Sequence, residues 1–325
     1  MGDFVLSKKK QSITADELFS KNADLFKTRF LTGKKGLGRK IESHEIHYPA
    51  LALTGFLDRF AFKKIQFISE IEWHYLGAQS PARRKECVAK ICEFAIPAIV
   101  VTRGRKVHNE LFDACRKFHV PFYSTPLSSQ DLHFKMSDFL EEYFAPRITL
   151  HSSLVDVYGI GLLYTGKSGI GKSECVLDLV ERGHRLVADD IVTVMKKGNT
   201  LIGSGSPLLG HHMEIRGVGI INIEALFGVR AIRMNKKIEV MVELVEWGNS
   251  ANYERLGLDE TTTGILDVPV DKITIPIFPG KNITVISEVI AMNKLLKMNG
   301  INSAAEFNQR LLKTLQNKQQ SRSGT

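Results

Sequence analysis

No run of about 18 apolar residues occurs in the 325-residue chain, so the sequence offers no membrane-spanning helix. The opening residues, MGDFVLSKKKQS, lack the apolar stretch of a secretory leader, and a cytoplasmic protein is expected. Cysteine is scarce. Cys87, Cys92, Cys115 and Cys175 are the four, and none stands in paired C-x-x-C spacing. That excludes a disulfide framework and the common zinc modules, and predicts reduced, structural thiols. The net charge is +9, yet the basic residues are scattered apart from Lys8–Lys10 and the stretch Gly33–Lys40. With no aromatic-interleaved basic stripe and no zinc-finger or RRM signature, nucleic-acid binding is not expected. Internal repeats and low-complexity segments are also missing.

What is present is ordinary in bulk: 43% hydrophobic and 24% charged residues, as in globular chains of one or two domains. The informative stretch is 161–192. Within it Gly166, Lys167, Ser168, Gly169, Ile170, Gly171, Lys172 and Ser173 fit G-x-x-x-x-G-K-[ST], the phosphate-binding P-loop. The glycines let backbone N–H groups close around phosphate oxygens. Lys172 adds a cation near the β/γ-phosphates, and the Ser173 hydroxyl is placed for Mg²⁺. A helix beginning at the loop would turn its positive end to the same anion. The flanks agree. Leu162–Tyr164 reads as a buried strand, Cys175, Val176, Leu179 and Val180 recur at helical spacing, and Gly183 stops the helix. Arg185–Asp190 then reads as a strand ending in two acids. A chance match to the motif alone arises in roughly one or two chains in a hundred of this length, so the surrounding pattern decides for nucleotide binding. Alkylation of Cys175, just behind the loop, is expected to block it sterically.

Elsewhere, Ala15–Phe30 suggests a helix, Ile46–Gly55 an extended segment that turns, and Ile65–Ile68 a strand. Pro81–Phe94 suggests a helix with proline in its first turn, Ala98–Thr102 a strand, Asn109–Phe118 a helix and Val120–Ser124 a strand. The alternation predicts a small α/β domain with a partly parallel sheet and no catalytic constellation. His44 and His47 are read there as surface or satisfied core groups. Leu132–Phe144 is a connecting helix, and the boundary is placed near Pro146: an N-terminal α/β domain over 1–143 and a P-loop domain over 144–325. Thr149–Gly159 suggests antiparallel strands, Ile191–Met195 and Val240–Val245 further strands, and Val285–Met298 a helix resuming at Ser303. His151, about 15 residues ahead of the P-loop, reads on its own as a strand histidine. Glu214, among apolar residues and glycines in 213–223, is either part of a strand entering a turn or a ligand facing the nucleotide. Asn252–Gly257, with Arg255, has a common surface pattern.

Together these stretches are similar to the bacterial HPr kinase/phosphorylase family over nearly the whole chain. The resemblance rests on His151–Gly159, the P-loop, Glu181–Asp190 and Met213–Phe227, with weaker matches at Arg255–Gly257, Asp267–Val270 and Pro279–Lys281. His47–Ala50 departs from the family's Arg-Pro-Gly, and Lys281 stands where many members have arginine, a change expected to touch phosphate handling. The resemblance implies a P-loop core like that of phosphoenolpyruvate carboxykinase and a homohexamer. It implies ATP- and Mg²⁺-dependent phosphorylation of a serine on HPr, the phosphocarrier protein of sugar uptake, in control of carbon use. It also implies the reverse step, in which inorganic phosphate takes the phosphoryl group and pyrophosphate leaves. By the same resemblance Ser173 and Glu214 hold Mg²⁺, Asp190 moves the serine proton, His151 sits beside the phosphates and Arg255 neutralises the transferring group. Segments 213–222 and 276–281 match catalytic segments, the second tied to dephosphorylation. Other readings of the same P-loop are a small-metabolite kinase and a nucleotide-dependent regulatory ATPase. Neither the N-K-x-D guanine motif nor L-S-G-G-Q is present, which lowers the weight of GTPases and ABC-type ATPases.

Overall fold

The computed structural model describes residues 12–206, 210–248, 261–310 and 312–313. Arg255 with its neighbours 252–257 lies outside the described residues. The chain forms two compact units, one ending at Ala145 and one beginning at Pro146.

The first unit runs β1 (Ile13–Thr14), α1 (Ala15–Lys21), α2 (Ala23–Phe26), β2 (Arg29–Phe30), β3 (Lys40–Ile41), β4 (Ile46–His47) and α3 (Ala50–Thr54). It continues with β5 (Ile65–Ile68), α4 (Glu70–Ala78), α5 (Pro81–Cys92), β6 (Ile99–Val101), α6 (Asn109–Lys117), β7 (Phe122–Ser124) and α7 (Ser129–Phe144). Its main sheet has the order β2-β7-β6-β5-β4, parallel except for β2. Strand alternation sends Ile68, Ile99, Val101 and Phe122 into one core and Ile65, Phe67, Val100 and Tyr123 into the other. Both faces are therefore covered, as a parallel sheet requires. Helix α7 packs Leu132, Met136, Leu140 and Phe144, four residues apart, into the second core. His47 is half-buried, its Nδ1 paired with Gln66 Oε1 at 2.8 Å.

Three local differences from the sequence pattern have local causes. The helix expected over Ala15–Phe30 breaks at Asn22, whose Nδ2 donates to the Leu18 carbonyl at 2.8 Å, and ends at Lys27 in the left-handed region. The segment expected to extend to Gly55 is extended only through β4; beyond Pro49 the Ala/Leu run is helical and buries Leu53. Helix α4 was not expected, although its capping box, Ser69 with Glu72, is written in the sequence.

The second unit runs β8 (Arg147–His151), β9 (Ser153–Val157), β10 (Ile160–Thr165), α8 (Lys172–Glu181), β11 (Arg185–Ala188), β12 (Ile191–Lys197), β13 (Thr200–Ser204), β14 (His212–Ile215) and β15 (Gly219–Asn222). Then come α9 (Ile223–Phe227), β16 (Asn235–Lys237), β17 (Val240–Glu246), β18 (Thr262–Ile265), β19 (Val268–Ile277) and α10 (Ile283–Met298). A six-stranded sheet, β11-β9-β10-β17-β19-β18, is parallel across β10, β17 and β19 and antiparallel at both edges. An antiparallel sheet, β16-β13-β12-β8, joins it in one core through Leu154, Leu163, Val187, Val192, Val194 and Leu201. On the other face Leu162, Tyr164 and Val242 pack against Cys175, Val176, Leu179, Ile290 and Ala291 of α8 and α10. The strands before and after the P-loop helix are not hydrogen-bonded neighbours, because β9 lies between β10 and β11.

Candidate active site

Strand β10 is buried on both faces and ends at Thr165, where the chain turns through residues 166–171 into α8. Two glycines are demanded by geometry. Gly166 has φ +141°, and a Cβ there would collide with the Leu244 carbonyl. Gly169 has φ +76°, and a Cβ would come within 2.8 Å of the Arg216 Cζ. The first-turn N–H groups of α8 have no side-chain cap, which leaves them open to an anion, as the helix dipole favours. The Lys172 ammonium curls over the loop, donating to the Gly166 and Lys167 carbonyls at 3.2 Å each.

Beside the loop, two corners of the chain meet. At Ser152 the chain leaves the four-stranded sheet (β8) for the six-stranded one (β9); at Asp189–Asp190 it makes the return crossing, from β11 to β12. The corners are joined by Ser152 N–H donating to the Asp190 carbonyl at 3.2 Å and by the pairing of His151 with Ile191. His151 and Asp190 are therefore neighbours, both exposed. Asp190 has φ +60°, and Ile191 N–H donates to the Asp189 carbonyl at 2.7 Å. This is a γ-turn of the strained, positive-φ kind, with Asp190 at its apex.

Asp189 behaves differently. It is buried, and its Oδ1 accepts from Ser153 Oγ at 2.5 Å, while Oδ2 is buried with no partner. Burial pushes its pKa up; the hydroxyls of Ser153 and Ser173 pull the other way, and the Asp190 charge adds to the rise. Strand alternation would by itself turn two adjacent acids to opposite faces. Both in fact lie beyond β11, and the γ-turn is what divides them.

The fit to a divalent cation can be tested on that orphaned oxygen. Among the described residues no cluster of three His, Cys, Asp or Glu could hold a metal. An unpaired carboxylate oxygen beside the Ser173 hydroxyl is nevertheless the sparse oxygen set that suits Mg²⁺, which takes most of its remaining ligands from water and phosphate. Glu214 stands exposed on β14, whose hairpin with β15 turns at 216–218 and lays Arg216 against the P-loop. Arg216, to which the sequence assigned no role, is thus a cation at the P-loop. The Lys281 ammonium donates to the Pro276 carbonyl at 3.0 Å and lies 5.3 Å from the Phe278 ring centroid; burial lowers its pKa. Cys175 is buried, and burial pushes its thiol up to about 11, so the native thiol resists the alkylation that would block the loop. All four cysteines are free and buried.

The model of the HPr Serine kinase N terminus matches residues 13–140, and that of the HPr Serine kinase C-terminal domain matches residues 142–311. The chain belongs to the HPr kinase/phosphorylase family. An HPr kinase/phosphorylase of Prosthecochloris aestuarii is 43% identical over 97% of this chain and 94% of that protein. Another, from Chlorobium phaeobacteroides, is 45% identical over 94% of this chain and 91% of the relative. A solved structure of the Hpr(Ser) kinase/phosphatase from Coxiella burnetii is 35% identical, covering 49% of this chain and 97% of that one, with a TM-score of 0.44. A kinase family implies a nucleotide, for which the loop is shaped. No described helix is long and apolar enough to cross a membrane.

Proposed function

We propose that this chain transfers the γ-phosphoryl group of ATP to a serine of HPr and, in reverse, passes it from phosphoserine to inorganic phosphate, releasing pyrophosphate. The observation that carries the reading is the corner pair beside the P-loop: an exposed Asp190 held at a strained turn next to His151, with a buried, half-satisfied Asp189 behind it.

Phosphoryl transfer asks a protein mainly for positioning and charge stabilisation. The backbone from Gly166 to Ser173 cradles the phosphates, and Lys172 and Arg216 supply positive charge. Ser173 and Asp189 would hold Mg²⁺, with Glu214 contributing from its hairpin; the ion screens charge on the phosphate oxygens when bound. In the forward direction the Asp190 carboxylate accepts the seryl Oγ proton as that oxygen bonds to the γ-phosphorus and ADP leaves. In the reverse direction a phosphate oxygen attacks the phosphoseryl phosphorus, the P–O bond to serine breaks, and Asp190 returns the proton to the departing oxygen. His151 sits on the acceptor side of the phosphates, and Arg255 is assigned to neutralise the transferring group. The division into domains 1–143 and 144–325, with the kinase chemistry in the second, and assembly into a homohexamer belong to the same proposal.

Intact-mass spectrometry of HPr incubated with the protein, Mg²⁺ and ATP tests this. HPr should gain one phosphoryl group, then lose it as pyrophosphate forms once ATP is replaced by phosphate. Asp190→Asn should cut both transfers by at least about 100-fold with ATP affinity kept. A kinase of a small metabolite, or an ATPase without an acceptor, would leave the mass of HPr unchanged.

A further inference from the structure

A cavity of about 760 Å³ opens on the far side of the P-loop helix from Asp189. Its floor is Ile170 and Gly171, the last loop residues before Lys172, and the outer face of α8 with Glu174, Cys175 and Asp178. Its roof is Ile277 and Gly280–Thr284, the segment between β19 and the start of α10. Resting on the nucleotide reading above, we infer that this cavity takes the nucleoside half of the bound triphosphate.

Three observations lead there. The first is direction. Ser173 faces Asp189, and Asp190 and His151 lie on that same side; the γ-phosphate must point to them. A triphosphate wrapped by the loop then runs its other end the opposite way, past Gly171 and over Glu174, straight into the cavity. The second is charge. Glu174 and Asp178 line the wall, and Asp178 is paired only weakly, with Thr284 Oγ1 at 3.3 Å. Carboxylates repel phosphate but accept from hydroxyls, so the cavity suits ribose hydroxyls and not a second phosphate. Of the two cations that line the cavity, Lys281 is committed to the Pro276 carbonyl and Arg182 to Glu288, at 2.7 and 2.9 Å, so neither offsets the carboxylates. The third is surface. Ile170, Ile277 and Ile283 give the cavity an apolar side for the flat face of a base, and its volume lies within the ordinary range for a small-molecule site.

The test compares Mg²⁺·ATP with Mg²⁺·tripolyphosphate, which carries the phosphates without the nucleoside, by calorimetric titration of the full chain. Asp178 is exposed on α8, so Asp178→Trp fills the cavity without opening the core. The expected result is at least a tenfold loss of ATP affinity with tripolyphosphate affinity unchanged within twofold. Unchanged ATP affinity overturns the assignment. Should both affinities fall together, photolabelling of the unmodified protein with 8-azido-ATP decides: label in 170–182 or 277–284 supports the cavity, and label elsewhere overturns it. If the unmodified chain binds neither ligand, the nucleotide reading fails and this inference falls with it. If it binds tripolyphosphate as tightly as ATP, the P-loop stands and the nucleoside pocket is refuted.

Discussion

Replacing Asp189 with asparagine should make the ligand-free protein more stable at neutral pH and the liganded protein less so. Asp189 is 7% exposed, one carboxylate oxygen is satisfied by Ser153, and the other has no partner. A buried, unpaired polar oxygen costs about 1–3 kcal/mol, and more when ionised. Asparagine keeps the acceptor for Ser153, removes the charge and turns its amide donor toward the Ser173 hydroxyl, so a gain of about 1–2 kcal/mol is expected, which in a unit of this size is roughly 2–8 °C in Tm. The direction with pH follows from the raised pKa of Asp189. An acid whose folded pKa lies above its unfolded value, about 3.9, imposes no penalty below that value. The penalty grows as pH rises through the folded pKa and is constant above it. The advantage of Asp189→Asn should therefore vanish near pH 3.5 and grow as the pH is raised toward neutrality. Saturating Mg²⁺·ATP at 100 times Kd would stabilise the unmodified protein by about 2.7 kcal/mol. Asp189→Asn should lose most of that gain if, as proposed above, the oxygen it gives up helps to hold the cation. The two Tm curves, measured by scanning calorimetry with and without ligand, should cross. An asparagine variant less stable than the parent without ligand at pH 7 would show that the carboxylate is a structural acceptor, and the cation-site reasoning would fail.

Gly169→Ala places a Cβ in the left-handed region and against the Arg216 guanidinium; a stability loss of about 1 kcal/mol should accompany a larger, roughly tenfold rise in the Kd for ATP, read by titration. Glu288→Gln, on α10, weakens the hydrogen bonds from Arg182 (2.7 and 2.9 Å) and His184 (3.1 Å) that tie α10 to the end of α8. Arg182 chiefly holds the Glu288 pKa down, so the stabilisation exists above the unfolded value of about 4.3 and is lost as pH falls through the lower folded value. A Tm deficit of roughly 2–4 °C at pH 7 should close well below pH 4. Native protein treated with iodoacetamide at pH 8 should keep Cys175 unmodified by mass spectrometry, since a thiol near 11 is thiolate in only about one molecule in a thousand; unfolding in urea should expose all four cysteines.

The P-loop was legible because its chemistry is local. Eight consecutive residues carry the glycines, the lysine and the serine, and the strand and helix around them follow from apolar spacing alone. The same holds for α5, announced by Ser80 and Pro81, and for α7 with its apolar residues four apart. The acids were visible as a pair, but their division of labour was not. It depends on β8 pairing with β12 across about 40 residues of sequence, and on Ser153 reaching Asp189 from β9. Arg216 was hidden for a related reason: only the β14–β15 hairpin brings it to Gly169.

The placements of the two acids share one origin. Each strand must give up its partner where the chain passes between the two sheets, and the crossing points at Ser152 and Asp189–Asp190 lie side by side. A corner interrupts the ladder, so polar groups there need partners that the sheets cannot supply. One such group, Asp189 Oδ2, is left buried and unpaired, and one residue, Asp190, is held at positive φ with its side chain exposed. A sequence shows strands by their period, but it does not show which two strand ends will be abutted. The acids therefore acquire distinct environments only when the second unit closes around the P-loop strand, and it is the strained, exposed Asp190 that the proposal above sets against the acceptor.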